Sequence, residues 1–374
     1  MLKSARQLVS EIHLFVAALS AAFLFGPGSD WIGEDQSVFL LMGIFVWLLS
    51  VMIWCSFKAL HHADLLAILL GEPIGTLILT VAVITIEVSI IAAVMLNHGP
   101  NPTLARDTMF SVLIIVLNGM VGLALLIGGI RHREQNFNLQ GARSYLSVVI
   151  TLATMTLILP RFTTSTSDPG LTVAQGLIFS ALAILLYATF LAMQTVRHRE
   201  HFVEPAGPDA HGHGHDESAH GQSASSFAYH ATVLVLTLVL IVLLSKKLAP
   251  IVDYSIDALG MPEALGGVVV ALLVLAPEGL AAIEAAAANH LQRAVNICLG
   301  SALATISLTA PAVIVIGILT GIRVELGLEP SEMVLLVLTL VLSMLTFGAV
   351  RTDMLQGAVH LVVFLAFVVL IFAP

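Results

Sequence analysis

Eleven stretches of this chain are apolar over about the thickness of a bilayer, and that leaves few folds open. They cover roughly 8–25, 37–57, 66–96, 108–130, 144–160, 171–196, 227–248, 262–288, 294–320, 332–350 and 354–373. A helix needs about 20 apolar residues to cross the hydrocarbon core. Backbone groups in that core must be satisfied within the protein, and continuous apolar runs of this length do so as helices. The expected fold is an all-α polytopic membrane protein with about 11 transmembrane helices. Only 10% of residues are charged and 58% are hydrophobic, whereas a soluble domain carries about 25% charged residues. A large aqueous core is therefore excluded. The formal net charge of −9 argues against nucleic acid as a partner. Cys55 and Cys298 lie in or near apolar runs and supply neither a disulfide framework nor a Cys-based zinc site. Lys3 and Arg6 ahead of the first run imitate a signal peptide, but the spans behind it favour a retained first helix.

Between the runs stand turn-forming clusters such as Gly26-Pro27-Gly28, Asn97-His98-Gly99-Pro100 and Asp168-Pro169-Gly170. Basic residues orient the set. With the N-terminus inside, ten Lys and Arg fall on inner segments and five on outer ones, which favours a cytoplasmic N-terminus and an outer C-terminus. The longest interruption, 197–226, carries His198, His201, His211, His213, His215 and His220 among Glu, Asp, Gly and Ser. Its composition builds no core, so it reads as a polar cytoplasmic loop, with the HGHGHDE run open to weak metal binding or pH response. The domains follow as 1–36 for an extra first helix, 37–196 for a first five-helix repeat, 197–226 for the loop and 227–374 for a second repeat.

Two spans hold a carboxylate deep in apolar sequence: Glu87 in 71–96 and Glu278 in 266–288. An ionised group at bilayer depth costs at least about 2.5–3.5 kcal/mol, so such residues usually face a bundle interior or a water-filled path. Glu87 lies 12 residues after Gly75, and Glu278 lies 12 after Gly266. Repeats of five spans must be inverted relative to each other, and inverted repeats with a midplane site recur in transporters. Two glutamates in matching places suggest one shared ion site. Pro73 and Gly75 open the first glutamate span, and Pro277 and Gly279 flank Glu278. Proline frees a carbonyl one turn earlier, so a broken helix is expected there, offering oxygen to a cation.

Carboxylate and carbonyl oxygens suit hard cations such as Ca2+, Na+ and K+. Desolvated, mutually repelling carboxylates hold protons until a cation displaces them, which is the competition that proton antiport requires. Supporting positions are Asn118, mid-span in the fourth helix, and Ser301 and Thr305, one turn apart in the ninth. Gly300 is expected to permit close helix approach. Glu72 is 15 residues before Glu87, about 22 Å along a helix, and so belongs nearer the cytoplasmic entrance. Glu284 is expected to point elsewhere. Asn118, Ser301 and Thr305 also fit plain interhelical hydrogen bonding. His61, His62 and Asp64 read as a solvated helix end, and Gly128 and Gly129 as a helix terminus.

The sequence Gly71-Glu72-Pro73-Ile74-Gly75-Thr76-Leu77 running into Ile86-Glu87-Val88 resembles the cation/proton exchanger branch of the calcium:cation antiporter superfamily. Ala276-Pro277-Glu278, Leu299-Gly300-Ser301-Ala302 and Ala304-Thr305-Ile306 extend the resemblance to the second half. It implies a secondary antiporter that expels Ca2+, or in some bacterial members Na+ or K+, in exchange for H+. The paired acidic residues of the family fall on Glu87 and Glu278 as cation and proton ligands, and Thr76, Pro277 and, toward the entrance, Glu72 are supporting positions in the matching segments. The family's Gly-Asn-Ala before each acidic residue is replaced by Ile84-Thr85-Ile86 and Leu275-Ala276-Pro277. No cofactor is implied beyond the transported ions. The partners are these ions and the lipid of a bacterial inner membrane, and a homo-oligomer is compatible with the sequence.

A cation channel is the competing reading, since filters use carboxylates or carbonyls. A single pair in an inverted repeat fits alternating access better than a ring. An intramembrane hydrolase fits less well, because neither HExxH nor Gly-x-Ser-x-Gly occurs.

Overall fold

The computed structural model describes residues 11–33, 36–71, 74–97, 102–165, 170–204, 224–262, 264–349 and 351–373. Glu72, Pro73 and the His-rich stretch from 205 to 223 lie outside the described residues, as does the side chain of Thr76. Among the described residues eleven long helices follow one another: α1 (Ile12–Phe25), α2 (Val38–Leu70), α3 (Ile74–Asn97), α4 (Leu104–His132), α5 (Leu139–Phe162), α6 (Val173–Arg197), α7 (Ala224–Leu259), α8 (Ala264–Ala287), α9 (Leu291–Thr320), α10 (Pro330–Thr346) and α11 (Met354–Phe372). Eight of them contain windows long and apolar enough to cross a membrane, and Ile12–Phe25, Thr80–Ala93 and Pro330–Thr346 are shorter apolar helices. The all-α expectation holds, with one small addition. Glu134–Asn136 (β1) pairs antiparallel with Arg351–Asp353 (β2), placing Gln135 opposite Thr352.

Helix ends follow local chemistry. Ser37 caps α2 through its hydroxyl, which accepts from the Leu40 N–H at 3.3 Å. Reciprocal capping boxes start α6 (Thr172 with Gln175), α10 (Glu329 with Glu332, Pro330 at its first position) and α11 (Asp353 with Gln356). Gly71 ends α2 at φ 67°, a left-handed value that glycine adopts without steric cost. The second span is therefore longer than the expected 37–57. No strong breaker occurs before Gly71, so the helix carries through the polar turn at His61 and His62, and α3 starts only at Ile74.

The chain forms two compact units. The first holds Met1–Asn101 and His215–Pro277, and the second holds Pro102–Gly214 and Glu278–Pro374. In the first, α7 packs against α1, α2 and α3, and α2 against α1 and α3. In the second, α4 is the central element. Every residue from Leu104 to Gly122 is buried, and α11 packs against the part from Ile115 to His132. The outer faces carry large exposed apolar side chains, among them Leu19, Phe39, Leu345 and Val362, as a lipid-facing surface requires.

Four helices contain a turn of π-helix: α4 at Ile115–Met120, α5 at Thr154–Ile158, α6 at Met193–Arg197 and α9 at Thr305–Thr309. Such turns insert one residue into the helical ladder and are frequent at functional sites.

Candidate functional site

In the second unit, Glu278 is half-buried on α8, and its Oε2 accepts a 2.5 Å hydrogen bond from the Ser301 hydroxyl on α9. A hydrogen bond to a carboxylate is among the stronger kinds in proteins. Thr305 follows one turn later, 2% exposed, as the first residue of the α9 π-turn. The two hydroxyl residues expected on one face are thus both enclosed, and Ser301 reaches the carboxylate. On the other side of Glu278, a Cβ at Gly279 would meet the Met120 side chain at 3.5 Å, at the end of the α4 π-turn.

The expected break at Pro277 does not occur. Proline 277 lies inside a continuous helix from Ala264 to Ala287. Its ring removes the donor that the Leu273 carbonyl would receive in a regular helix, a local cost that does not interrupt the segment. Gly300 also differs from expectation. A Cβ there would stand 3.8 Å from the Tyr145 ring, an ordinary contact that glycine is not needed to permit.

Asn118 is fully buried on α4, and both ends of its amide are engaged. Its Nδ2 donates to Thr339 Oγ1 on α10 at 2.8 Å, and its Oδ1 lies 3.1 Å from His360 Nδ1 on α11. His360 Nε2 continues to Thr346 Oγ1 at 3.0 Å. In this arrangement Asn118 joins three helices, the interhelical role weighed for it in the sequence. In the first unit, Glu87 is 1% exposed on α3, the burial its apolar context called for. Glu284 is exposed.

Gly128 and Gly129 do not end α4, which continues to His132. Gly128 makes room for the Gln135 side chain, and Gly129 for the backbone of Met354 at the start of α11. Gln135 Nε2 in turn donates to the Ala286 carbonyl at 2.9 Å and to Asn289 Oδ1 at 3.0 Å.

A second polar centre, in the first unit, was not anticipated. His61 and Asp64 are exposed, but His62 is buried, correcting the solvated helix end read there. His62 Nδ1 lies 2.9 Å from His230 Nδ1 on α7, and its Nε2 lies 3.4 Å from Glu11 Oε2. Tyr229 donates to Glu11 Oε1 at 2.7 Å, and His13 Nε2 lies 3.2 Å from Thr237 Oγ1. Glu11 thereby ties the start of α1 to α2 and α7. The available signal was a carboxylate and a histidine inside the first apolar run. Replacing Glu11 by Ala strips a buried acceptor from Tyr229 and His62. It should lower stability by about 1–3 kcal/mol, read as a reduced melting temperature of the detergent-solubilised protein.

Ser301 allows a direct test of its bond. Ser301→Ala removes the donor to Glu278 Oε2, so it should lower the melting temperature of the detergent-solubilised protein, by a loss of about 1 kcal/mol. Ser301→Thr keeps the hydroxyl and should melt closer to the parent.

Carboxylates set within apolar helices, one of them bonded to a hydroxyl on a neighbouring helix, in an almost wholly helical fold, point to the class of membrane proteins that move ions. Residues 40–196 and 229–373 match the model of the family described as sodium/calcium exchanger protein, and the chain belongs to that family. It is 41% identical to the putative ionic transporter y4hA of Sinorhizobium fredii, over 91% of this chain and 90% of the relative. It is 37% identical to the sodium-potassium/proton antiporter ChaA of Escherichia coli, over 96% and 94%. Among solved structures, the Ca2+/H+ antiporter YfkE has the same fold, with a TM-score of 0.73 at 20% identity, covering 97% of this chain and 99% of that one. The protein is an ion exchanger and not an enzyme, and its substrates are cations.

Proposed function

We propose that this chain is a secondary antiporter that expels Ca2+, Na+ or K+ in exchange for inward H+, working by alternating access, with Glu87 and Glu278 as the carboxylates over which cation and proton compete. The observation that carries the reading is that both glutamates stand on apolar helices, Glu87 buried and Glu278 half-buried against Ser301, in a chain of the sodium/calcium exchanger family. A desolvated carboxylate resists standing charged and alone, and either a proton or a cation relieves it. Relatives named as sodium-potassium/proton and Ca2+/H+ antiporters support the same pairing of substrates.

The order of elements supports two inverted repeats, α2–α6 and α7–α11, behind an added α1. The second helix of each carries the glutamate, and the third carries a π-turn, at Ile115–Met120 and Thr305–Thr309. Among the described residues, the π-turns of α5 and α6 have no counterpart in the second half. The excess of basic residues on one set of loops supports an inner-membrane protein with a cytoplasmic N-terminus.

The test is proton flux in everted vesicles with an acid interior. Ca2+, Na+ and K+ are added separately, and each addition that dissipates the gradient names a transported cation. A response to Ca2+ alone makes the protein a calcium/proton antiporter, and a response to Na+ or K+ makes it a monovalent or broad-range exchanger. Correctly inserted protein that responds to none of the three overturns the proposal.

A further inference from the structure

The segment that leaves α6 carries a histidine, a carboxylate and a second histidine on one tight turn. His198 ends the helix, and Arg199–Phe202 form a single 3-10 turn. The rings of His198 and His201 are parallel, with centroids 4.9 Å apart and 5° between their planes. Glu200 Oε1 stands 3.7 Å from His198 Nδ1 and 3.9 Å from His201 Nε2. One donor atom from each of the three lies within 4.8 Å of the others, and among the described residues no other His, Cys, Asp or Glu trio does so.

We propose that His198, Glu200 and His201 bind a divalent transition-metal ion of the Zn2+ class, at a site separate from the carboxylates of transport. The donor set selects the ion. Two imidazole nitrogens with one carboxylate oxygen suit Zn2+ and its neighbours, whereas Ca2+ takes six to eight oxygens. Zinc binds nitrogen at about 2.0–2.1 Å and carboxylate oxygen at about 2.0–2.2 Å. Tetrahedral ligands then lie about 3.4 Å from one another, so the two carboxylate–imidazole separations of 3.7 and 3.9 Å need to close by about half an ångström or less, and the imidazole nitrogens, which lie within 4.8 Å, must draw together around the ion. The exposed edge of His198 leaves room for water as a fourth ligand.

The turn itself is fixed, which limits the entropy lost on binding. Phe202 is buried against Tyr145 and Phe190, with ring centroids at 5.4 and 5.7 Å. Asn138 Nδ2 donates to the Glu200 carbonyl at 3.1 Å, and Asn296 Nδ2 to the Phe202 carbonyl at 2.7 Å. The His201 carbonyl lies so close to Gly141 that no Cβ fits between them.

The experiment is a Zn2+ titration of the full-length protein in detergent, with Co2+ as an optical reporter of coordination. His198→Gln and His201→Gln should each remove one bound Zn2+ per chain from the parent complement, or weaken it at least about tenfold. Glu200→Gln should weaken it by about the same factor. Ca2+ in about hundredfold excess should not displace the ion. Zinc held by the histidines from 211 to 220 is common to all variants and cancels in the difference. Glu200 is exposed, so Glu200→Gln should melt as the parent does, and it carries the test if a histidine variant destabilises the turn. Equal stoichiometry and affinity in parent and variants, or displacement by Ca2+, overturns the site.

Discussion

Glu278→Gln and Glu87→Gln should each reduce proton-coupled cation flux to background in vesicles, while the protein inserts and elutes as the parent does. Glutamine keeps the size and one carbonyl oxygen of glutamate but takes neither a negative charge nor a transferable proton. A cation that loses a charged ligand in a poorly solvated place loses most of its reason to leave water. A proton that finds no carboxylate has nothing to ride on. Both arms of exchange therefore fail together, which separates an antiporter from a channel. In a channel, a neutralised carboxylate changes selectivity but leaves a pore through which ions still move. Glu284→Gln is the control. It lies six residues beyond Glu278 on the same helix, its side chain is exposed, and flux should stay at the parent level. Full proton-coupled flux in either Gln variant would remove that residue from the mechanism.

The sequence carried the helices well, because long apolar runs need no tertiary context to be recognised. It carried their ends less well. α2 runs to Leu70 because polar residues such as Lys58 and His62 do not stop a helix once its neighbours pack against it. Pro277 shows the same override: its missing donor is a local cost, and the packed helix absorbs it. Glu87, Glu278 and Ser301 were legible because polar atoms in apolar helices are expensive and so stand out. The helical period put Ser301 and Thr305 on one face, and the bond from Ser301 to Glu278 on the next helix was legible only in the structure. The partners of Asn118 were not legible, since Thr339 and His360 lie 221 and 242 residues away. Nor was the Glu11 centre, which needs α1, α2 and α7 together before Tyr229 and His62 find one carboxylate. The β1–β2 ribbon is three residues on each side, too short for any alternation to register.

Gly357→Leu should prevent the protein from folding, and Gly357→Ala should lower its melting temperature sharply. A Cβ at Gly357 on α11 would stand 2.8 Å from the Gly122 carbonyl and 2.9 Å from Leu126 Cα, with the Leu126 nitrogen closer still. These are backbone atoms of α4, so no side-chain rotation clears them. The two helices must move apart or the residue must be glycine. Small residues at such crossings let membrane helices gain packing contacts that lipid cannot replace. Overpacking a tight core costs about 1–3 kcal/mol when side chains adjust, and a backbone clash belongs at or above the top of that range. The consequence reaches the site because α4 is buried from Leu104 to Gly122 and ends its π-turn at Met120, against the helix position next to Glu278. Moving α11 also pulls His360 from Asn118, the bond that joins α11 to the same π-turn. Gly300→Ala is the matched control, since its Cβ meets only the Tyr145 ring at 3.8 Å, and its melting temperature should stay near the parent value. If Gly357→Ala melts with the parent, α4 and α11 do not approach this closely, and the coupling of α11 to the glutamate helix fails with it.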